Sequence, residues 1–251
     1  TRQKYLTASE KGPWANSYDR WRNDNLTHRY QGVQFGYTSA GRYTSWNDIW
    51  SYNAFKERDI LPGDYKYEDW NGDGEINGQD EHPFAFDQTP WLQFSLNAGL
   101  QWKNFDFNML LQGSALGSME YKEPLHEIWG KNGGGALTQF LDRWHPLDPK
   151  ADPYDPATVW TSGHYAYTGR WAKNNSAFNR VSTAYLRLKS IELGYTFPKL
   201  KQIPNASLRV YANAYNLLTF TGVKFVDPEH PDDDLGRMYP LNKTYTLGVS
   251  L

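Results

Sequence analysis

Gln93-Phe94-Ser95-Leu96-Asn97-Ala98-Gly99-Leu100-Gln101-Trp102 alternates between apolar and polar side chains. Successive strand side chains point to opposite faces. Phe94, Leu96, Ala98, Leu100 and Trp102 therefore share one face, and Gln93, Ser95, Asn97, Gly99 and Gln101 the other. After Lys103-Asn104 the alternation resumes, with Phe105, Phe107, Met109 and Leu111 opposed to Asp106, Asn108 and Gln112. Two alternating runs joined by two residues spell a β-hairpin with a very tight turn.

The same period recurs downstream. From Tyr185 to Phe197 one face carries Leu186 and Leu188, then Ile191, Leu193, Tyr195 and Phe197. That phase slip near Lys189-Ser190 is what a β-bulge produces. Residues 198–206 make a turn, and Leu208, Val210, Ala212 and Ala214 then alternate with Arg209, Tyr211, Asn213 and Tyr215. A last run places Tyr245, Leu247, Val249 and Leu251 opposite Thr244, Thr246, Gly248 and Ser250, and a weaker run covers Tyr30 to Tyr37. The expected fold is all-β, with about six strands near 30–37, 91–102, 104–113, 183–197, 207–220 and 243–251.

The connections are very unequal. Short turns at 103–104 and 198–206 alternate with excursions at 38–90, 113–182 and 221–242. Outer-membrane barrels have short periplasmic turns, long extracellular loops and aromatic girdles at both interfaces. Trp102 and Phe105 flank the first short turn, and Tyr195 and Phe197 the second. With a periplasmic carboxy terminus, all three long excursions fall outside. A soluble sandwich also alternates, because its apolar faces pack on each other; the unequal connections favour the membrane. In lipid, where open sheet edges are not tolerated, the first and last strands must pair with segments beyond this chain.

Composition fits a barrel. The chain holds 11 Trp, 18 Tyr and 12 Phe in 251 residues, yet its mean hydropathy is −0.77. A barrel wall needs apolar residues only at alternate positions. A net charge of −2 gives no electrostatic reason to expect nucleic acid, and the absence of cysteine excludes disulfides and thiolate zinc sites. No run approaches the roughly 20 apolar residues of a transmembrane helix, and Thr1-Arg2-Gln3-Lys4-Tyr5 lacks the pattern of a signal peptide.

The strongest local motif is Asp69-Trp70-Asn71-Gly72-Asp73-Gly74-Glu75-Ile76-Asn77-Gly78-Gln79-Asp80. It follows the EF-hand loop pattern, with oxygen ligands from Asp69, Asn71, Asp73 and Asp80, the Glu75 carbonyl, and glycine at the bend. Asp80 replaces the usual Glu and reaches less far. No long helices flank the loop, so the expectation is a structural Ca2+ site in a loop; a metal-free polar turn is the alternative.

Around that loop the sequence resembles the SusC/RagA family of TonB-dependent outer-membrane transporters. Pro62-Gly63-Asp64-Tyr65-Lys66-Tyr67-Glu68-Asp69 runs into the Asn-Gly-Asp-Gly loop as in that family. Phe35-Gly36-Tyr37-Thr38-Ser39-Ala40-Gly41-Arg42-Tyr43, Phe105-Asp106-Phe107 and Gln112-Gly113 match further segments. So do Ala184-Tyr185-Leu186-Arg187-Leu188-Lys189, Leu193-Gly194-Tyr195-Thr196-Phe197-Pro198, Asn216-Leu217, Asp227-Pro228-Glu229 and Tyr239-Pro240. Ala184 stands where Ser is usual, and Leu251 where the family ends in an aromatic residue. The resemblance implies the carboxy-terminal part of a barrel that imports glycans or, less often, peptides, and no enzyme. It further implies partnership with the plug and the rest of the same receptor, a SusD-like surface lipoprotein, the TonB complex and outer-membrane lipid.

Asp106, Asn108, Arg209, Tyr211 and Asn213 are then expected to face the lumen. Trp129, Trp144, Trp160, Tyr165 and Trp171 are candidates to stack on sugar at the extracellular mouth, or else form the packing core of a large loop. Leu137, Phe140, Leu141 and Trp144 follow the spacing of a short amphipathic helix. Asp232-Asp233-Asp234, His126-Glu127 and His164 read as solvated surface. The rival reading of the whole chain is a secreted, calcium-stabilised carbohydrate-binding β module.

Overall fold

The computed structural model describes residues 29–52, 59–126, 137–169, 172–173, 175–198, 207–231 and 235–251. In chain order the strands are β1 (Gln34–Gly36), β2 (Ser39–Arg42), β3 (Tyr65–Tyr67), β4 (His82–Ala85), β5 (Leu92–Trp102), β6 (Phe105–Ala115), β7 (Ser118–Glu120), β8 (His145–Pro146), β9 (Trp160–Thr161), β10 (Arg180–Ser182), β11 (Tyr185–Phe197), β12 (Leu208–Thr221) and β13 (Thr244–Ser250). Among the described residues an α-helix, α1 (Trp46–Ser51), lies between β2 and β3. The chain divides into two units, 1–87 with 119–181 and 234–236, and 88–118 with 182–233 and 237–251.

The second unit is built on an antiparallel sheet of five strands in the order β13-β12-β11-β6-β5. Trp102 pairs with Phe105, which leaves Lys103 and Asn104 as the two-residue turn, with Lys103 at φ 55°. Residues directly opposite each other share a face. Leu96↔Leu111, Leu100↔Phe107, Phe107↔Leu193, Leu193↔Ala212 and Ala212↔Leu247 thus carry one apolar surface across all five strands. The ladder slips between Leu188 and Ser190 on both sides of β11. This bulge is why the apolar positions change parity there without leaving their face. The apolar surface is bare: Leu96 is 56% exposed, Leu193 53% and Leu247 85%.

The weak run near 30–37 does not supply a sixth long strand. It forms the three-residue β1, paired with β4 in the first unit through Gln34↔Ala85, Phe35↔Pro83 and Gly36↔His82. The register shifts between Gln34 and Phe35, and Tyr37 N donates instead to Asn175 O at 3.0 Å, so the ladder ends at Gly36.

The first unit takes its order from tyrosine. Tyr37, Tyr65 and Tyr67 are buried with Ala166 and Ala172, and Phe178 packs edge-on against Tyr65 and Tyr67 at 4.8 and 5.6 Å. Helix α1 starts where Ser45 Oγ accepts from Asp48 N at 3.2 Å, and Asp48 in turn takes Lys66 Nζ at 2.7 Å. The helical spacing of residues 137–144 gives only a 3-10 turn, Thr138–Leu141. Phe140 is buried, but Trp144 N is drawn to Tyr165 O at 2.8 Å, so the chain extends instead of winding on.

Asp64 fastens the Pro62-Gly63-Asp64 turn: Leu61 N donates to Oδ2 and Thr168 Oγ1 to Oδ1, both at 2.9 Å. Burial pushes its carboxyl up to about 6, opposed by those hydrogen bonds and by Arg42. A raised carboxyl favours the folded state in its protonated form, so this contribution is complete below about pH 4 and is lost as pH rises through 6. Asp64→Asn keeps an acceptor for Leu61 N but cannot ionise. The unfolding midpoint of wild type should fall between pH 4 and 6 relative to the variant, by the equivalent of about 2–3 kcal/mol.

Candidate functional site

The polar face of the five-stranded sheet carries the chemistry. Gln101↔Asp106, Asp106↔Gly194 and Gly194↔Tyr211 form one row across it, and Asn108↔Glu192 and Glu192↔Asn213 the next. Asp106, Asn108, Tyr211 and Asn213 therefore lie together on this face, and Arg209, opposite Thr196, joins them. Arg209 reaches over β11 to both Asp106 oxygens and to Glu192 Oε1 at 2.6 Å. The crossing passes over Gly194, where an added Cβ would collide with Asp106 and Arg209. Arg209 also lies 4.8 Å from the Tyr211 ring centroid, and Asn213 Nδ2 donates to Glu192 Oε2 at 3.4 Å. Two carboxylates share one guanidinium, so the cluster is net negative.

Toward the other end of the same face sits Arg187, 1% exposed. Its Nη2 donates to both carboxylate oxygens of Asp227 at 2.8 Å, and its Nε to Thr219 Oγ1 at 2.9 Å. Nη1 lies 3.2 Å from Glu229 Oε1, an ion pair outside hydrogen-bond geometry. Lys189, the residue released by the bulge, donates to both Glu229 oxygens at 3.0 and 2.9 Å. The third excursion thus folds back onto the wall. The sequence carried a signal for this: a cation on the polar side of an alternating strand, and two carboxylates around one proline in the following excursion.

The residues expected to hold calcium form a turn closed by its own hydrogen bonds. Asp69 Oδ1 accepts from Gly72 N and Asp73 N at 2.8 and 3.2 Å, and Oδ2 from Gly74 N at 2.8 Å. Gly74 has φ 82°, the bend glycine is needed for. Asn71 Oδ1 accepts from Asp73 N, and Asp73 Oδ1 from Glu75 N. Asp80 is fully buried; its Oδ1 caps Trp70 N at 2.9 Å and its Oδ2 caps Asn77 N at 2.8 Å. Burial raises the Asp80 carboxyl, and nearby Asp69 adds to that. Among the described residues no group of three or more His, Asp or Glu side chains is arranged to hold a metal ion. Asp69, Asn71 and Asp73 share one lobe of the turn, whereas Asp80 serves as a buried cap.

Of the aromatic candidates, Trp129 and Trp171 lie outside the described residues, as does the acidic run 232–234. Tyr165 is a core residue, 6% exposed, with its ring 4.5 Å from Phe140; it offers no open face to a sugar. Trp144 packs over Gly63, and Trp160 meets Tyr167 edge-on at 5.3 Å. Reading His126 as surface is corrected too: it is buried, and burial pushes its imidazole down to about 4, so it is neutral at physiological pH.

Removing Arg187 strands the Asp227 carboxylate against a buried position, whereas Glu229 keeps Lys189. Arg187→Ala should cost about 3–5 kcal/mol, and adding Asp227→Ala should recover most of it. Urea unfolding compares the three proteins.

No protein-family model matches the chain. TonB-dependent receptor P3 of Formosa agariphila is 28% identical over 236 residues, covering 88% of this chain and 22% of that protein. TonB-dependent receptor SusC of Bacteroides thetaiotaomicron is 26% identical over 208 residues, covering 82% of this chain and 19% of its own length. The chain thus spans about a fifth of the length of the curated relatives it matches. Among solved structures, the RagAB peptide transporter superposes with a TM-score of 0.56 at 18% identity, over 90% of this chain and 23% of that one. In sequence the chain is thus similar to a segment of TonB-dependent receptors including SusC, and in fold to an antiparallel β segment of the RagAB peptide transporter.

Proposed function

We propose that this chain forms wall and extracellular loops of an outer-membrane barrel that imports a glycan, or a peptide, energised through TonB and served by a SusD-like surface lipoprotein. The observation that carries the reading is the two-faced sheet. Its apolar side runs unbroken across five strands and stays exposed, while its polar side holds the ion pairs. Lipid covers the first face in a bilayer, and the second lines the lumen around the plug. A secreted carbohydrate-binding sandwich would instead bury the apolar face under a second sheet, which the exposure of Leu96, Leu193 and Leu247 disfavours. The relatives' names and the family motifs support import. The long excursions 113–182 and 221–242 meet the lipoprotein or the substrate from outside in this reading; within the first, the aspartate-proline turns of 148–157 are capped by their own carboxylates.

In cells carrying the complete receptor, Leu96→Arg at mid-strand should cost about 2–4 kcal/mol of barrel stability and Asn97→Arg clearly less. Excising 148–157 should lower oligosaccharide uptake and lipoprotein capture while the barrel still folds. Equal sensitivity of the two faces, or unchanged uptake and capture, removes the reading.

The 69–80 turn belongs to the same proposal as a structural calcium site. Asp69 and Asp73 keep free lone pairs after their backbone bonds, and a cation relieves the repulsion between them. Millimolar calcium should raise the melting temperature of wild type, and Asp69→Asn with Asp73→Asn should abolish the rise. An unchanged wild-type melting temperature sinks the idea.

A further inference from the structure

The exposed apolar face of the five-stranded sheet is not even. Along β12 its floor drops at Ala212 and Ala214, while the strands on either side carry bulk. Leu193 and Leu247 stand opposite Ala212, and Ile191 and Tyr245 opposite Ala214. Neighbouring strands lie about 4.8 Å apart, so walls separated by one strand stand roughly 10 Å apart at the backbone. Between them runs an open trough of about 560 Å³. Asn213 and Thr246, a cross-strand pair, also border it, but parity turns their side chains to the polar face. Toward the carboxy-terminal end of β13 the floor rises again, at Val210 between Tyr195 and Val249. At the other end the register, continued one step past Tyr215↔Thr244, sets Asn216 opposite Lys243. Asn216 Nδ2 donates to Asn242 O at 3.0 Å, which ties that step down. Lys243 is exposed and, two residues before Tyr245, falls on the same side as the trough's wall.

We infer that this trough is the binding site for one acyl chain of an anionic, phosphate-bearing lipid of the outer leaflet, whose phosphate meets Lys243. The inference rests on the barrel reading above and names, within the lipid-covered face, one lipid and its place. Shape, width and charge carry it. An even apolar wall holds every acyl chain alike, whereas a chain laid in a trough is touched on three sides. Dispersion is gained only from atoms at contact distance, so that difference is selective. A helix with its side chains is about 10–12 Å across and cannot enter a gap one strand wide. The flat face of a second copy would bridge the walls and leave the floor empty. Charge decides the lipid. An apolar column that ends on a lysine lets the stem lie along the wall while the ammonium sits at headgroup level, where it attracts anionic lipid. With the excursion 221–242 outside, that level belongs to the outer leaflet.

The test uses the complete receptor in detergent. Bisphosphorylated lipid A, and the same lipid stripped of its phosphates, are titrated onto it, and bound lipid is counted by native mass spectrometry. Ala212→Leu with Ala214→Leu fills the trough and keeps the face apolar. Lys243→Gln removes the cation, and Ala98→Leu, on the same face of β5, is the control. Heat-modifiable gel mobility reports the folded barrel, and Ala212→Val with Ala214→Val replaces the filled variant if it fails. Wild type should retain one phosphorylated lipid. Filling the trough should weaken that binding by about tenfold or more. Lys243→Gln should reduce the preference for the phosphorylated form by about fivefold, and Ala98→Leu should change neither. Binding unchanged by filling, or weakened equally by Ala98→Leu, is ordinary bilayer contact; it overturns the site and leaves the barrel reading standing. Equal retention of both lipids by wild type, or a preference untouched in Lys243→Gln, overturns the assigned lipid. A second receptor copy held in place of lipid, and lost on filling, overturns it as well. A receptor that stays folded and soluble without detergent and binds neither lipid overturns the barrel reading itself.

Discussion

A strand whose N–H and C=O groups are all taken by its neighbours has only its side chains left to choose its surroundings. That constraint organises the second unit. β6 and β11 are paired on both sides, and β12 is over Arg209 to Tyr215, so these ladders ask little of solvent, and alternation sorts apolar from polar. Everything else on the sheet depends on keeping that parity. A slip of one residue would turn Leu186 and Leu188 inward and Arg187 toward the apolar side. The bulge at Lys189 prevents this by absorbing the extra residue, and it delivers an ammonium to Glu229 in doing so.

The two charge clusters on the polar face differ in what water does for them. Arg209 with Asp106 and Glu192 keeps partial solvent access, so its ions are screened and its excess negative charge is tolerable. Arg187 is sealed, and a sealed guanidinium must have its charge and most of its donors answered by protein. Asp227, Glu229 and Thr219 answer them, which ties a distant excursion to the wall. Burial, not the number of ion pairs, makes one cluster an adjustable surface and the other a fixed joint.

Alternation made the hairpin of Gln93 to Gln112, the bulge and the last strand legible, because each leaves a period-two trace in single side chains. The long excursions were legible only as excursions. Their order comes from contacts distant in sequence, such as Thr168 on Asp64 or Lys173 N on the Tyr67 hydroxyl, and these leave no local period. The apolar spacing of Leu137, Phe140, Leu141 and Trp144 misled for the same reason: one backbone bond to Tyr165 outweighs a weak propensity. The run near 30–37 had the right alternation, but Tyr37 N is drawn away to Asn175 O, which no reading of the run itself reveals. At the site, the polar row was readable from parity. Arg187 was visible as a motif residue, but its role was not, since its hydrogen-bond partners lie 32 and 40 residues away.

A buried ion set is a poor way to gain stability, because desolvation consumes most of the Coulombic return. Apolar residues of similar volume would hold an excursion to a wall about as firmly. They would not hold it in one orientation, since apolar contact is non-directional. A guanidinium whose Nε is held by Thr219 while its Nη2 engages both oxygens of Asp227 fixes the angle as well as the distance. With Asp227 pinned in this way, its own turn sets where Glu229 and His230 follow, and Gln88 sets where Pro231 ends. The segment 227–231 is thus positioned at both ends by directional bonds, while the proline at 228 limits the backbone between them. That is the arrangement required if the segment is to keep one pose against the wall, and it explains why four charges are committed to a place where a few leucines would have sufficed for adhesion alone.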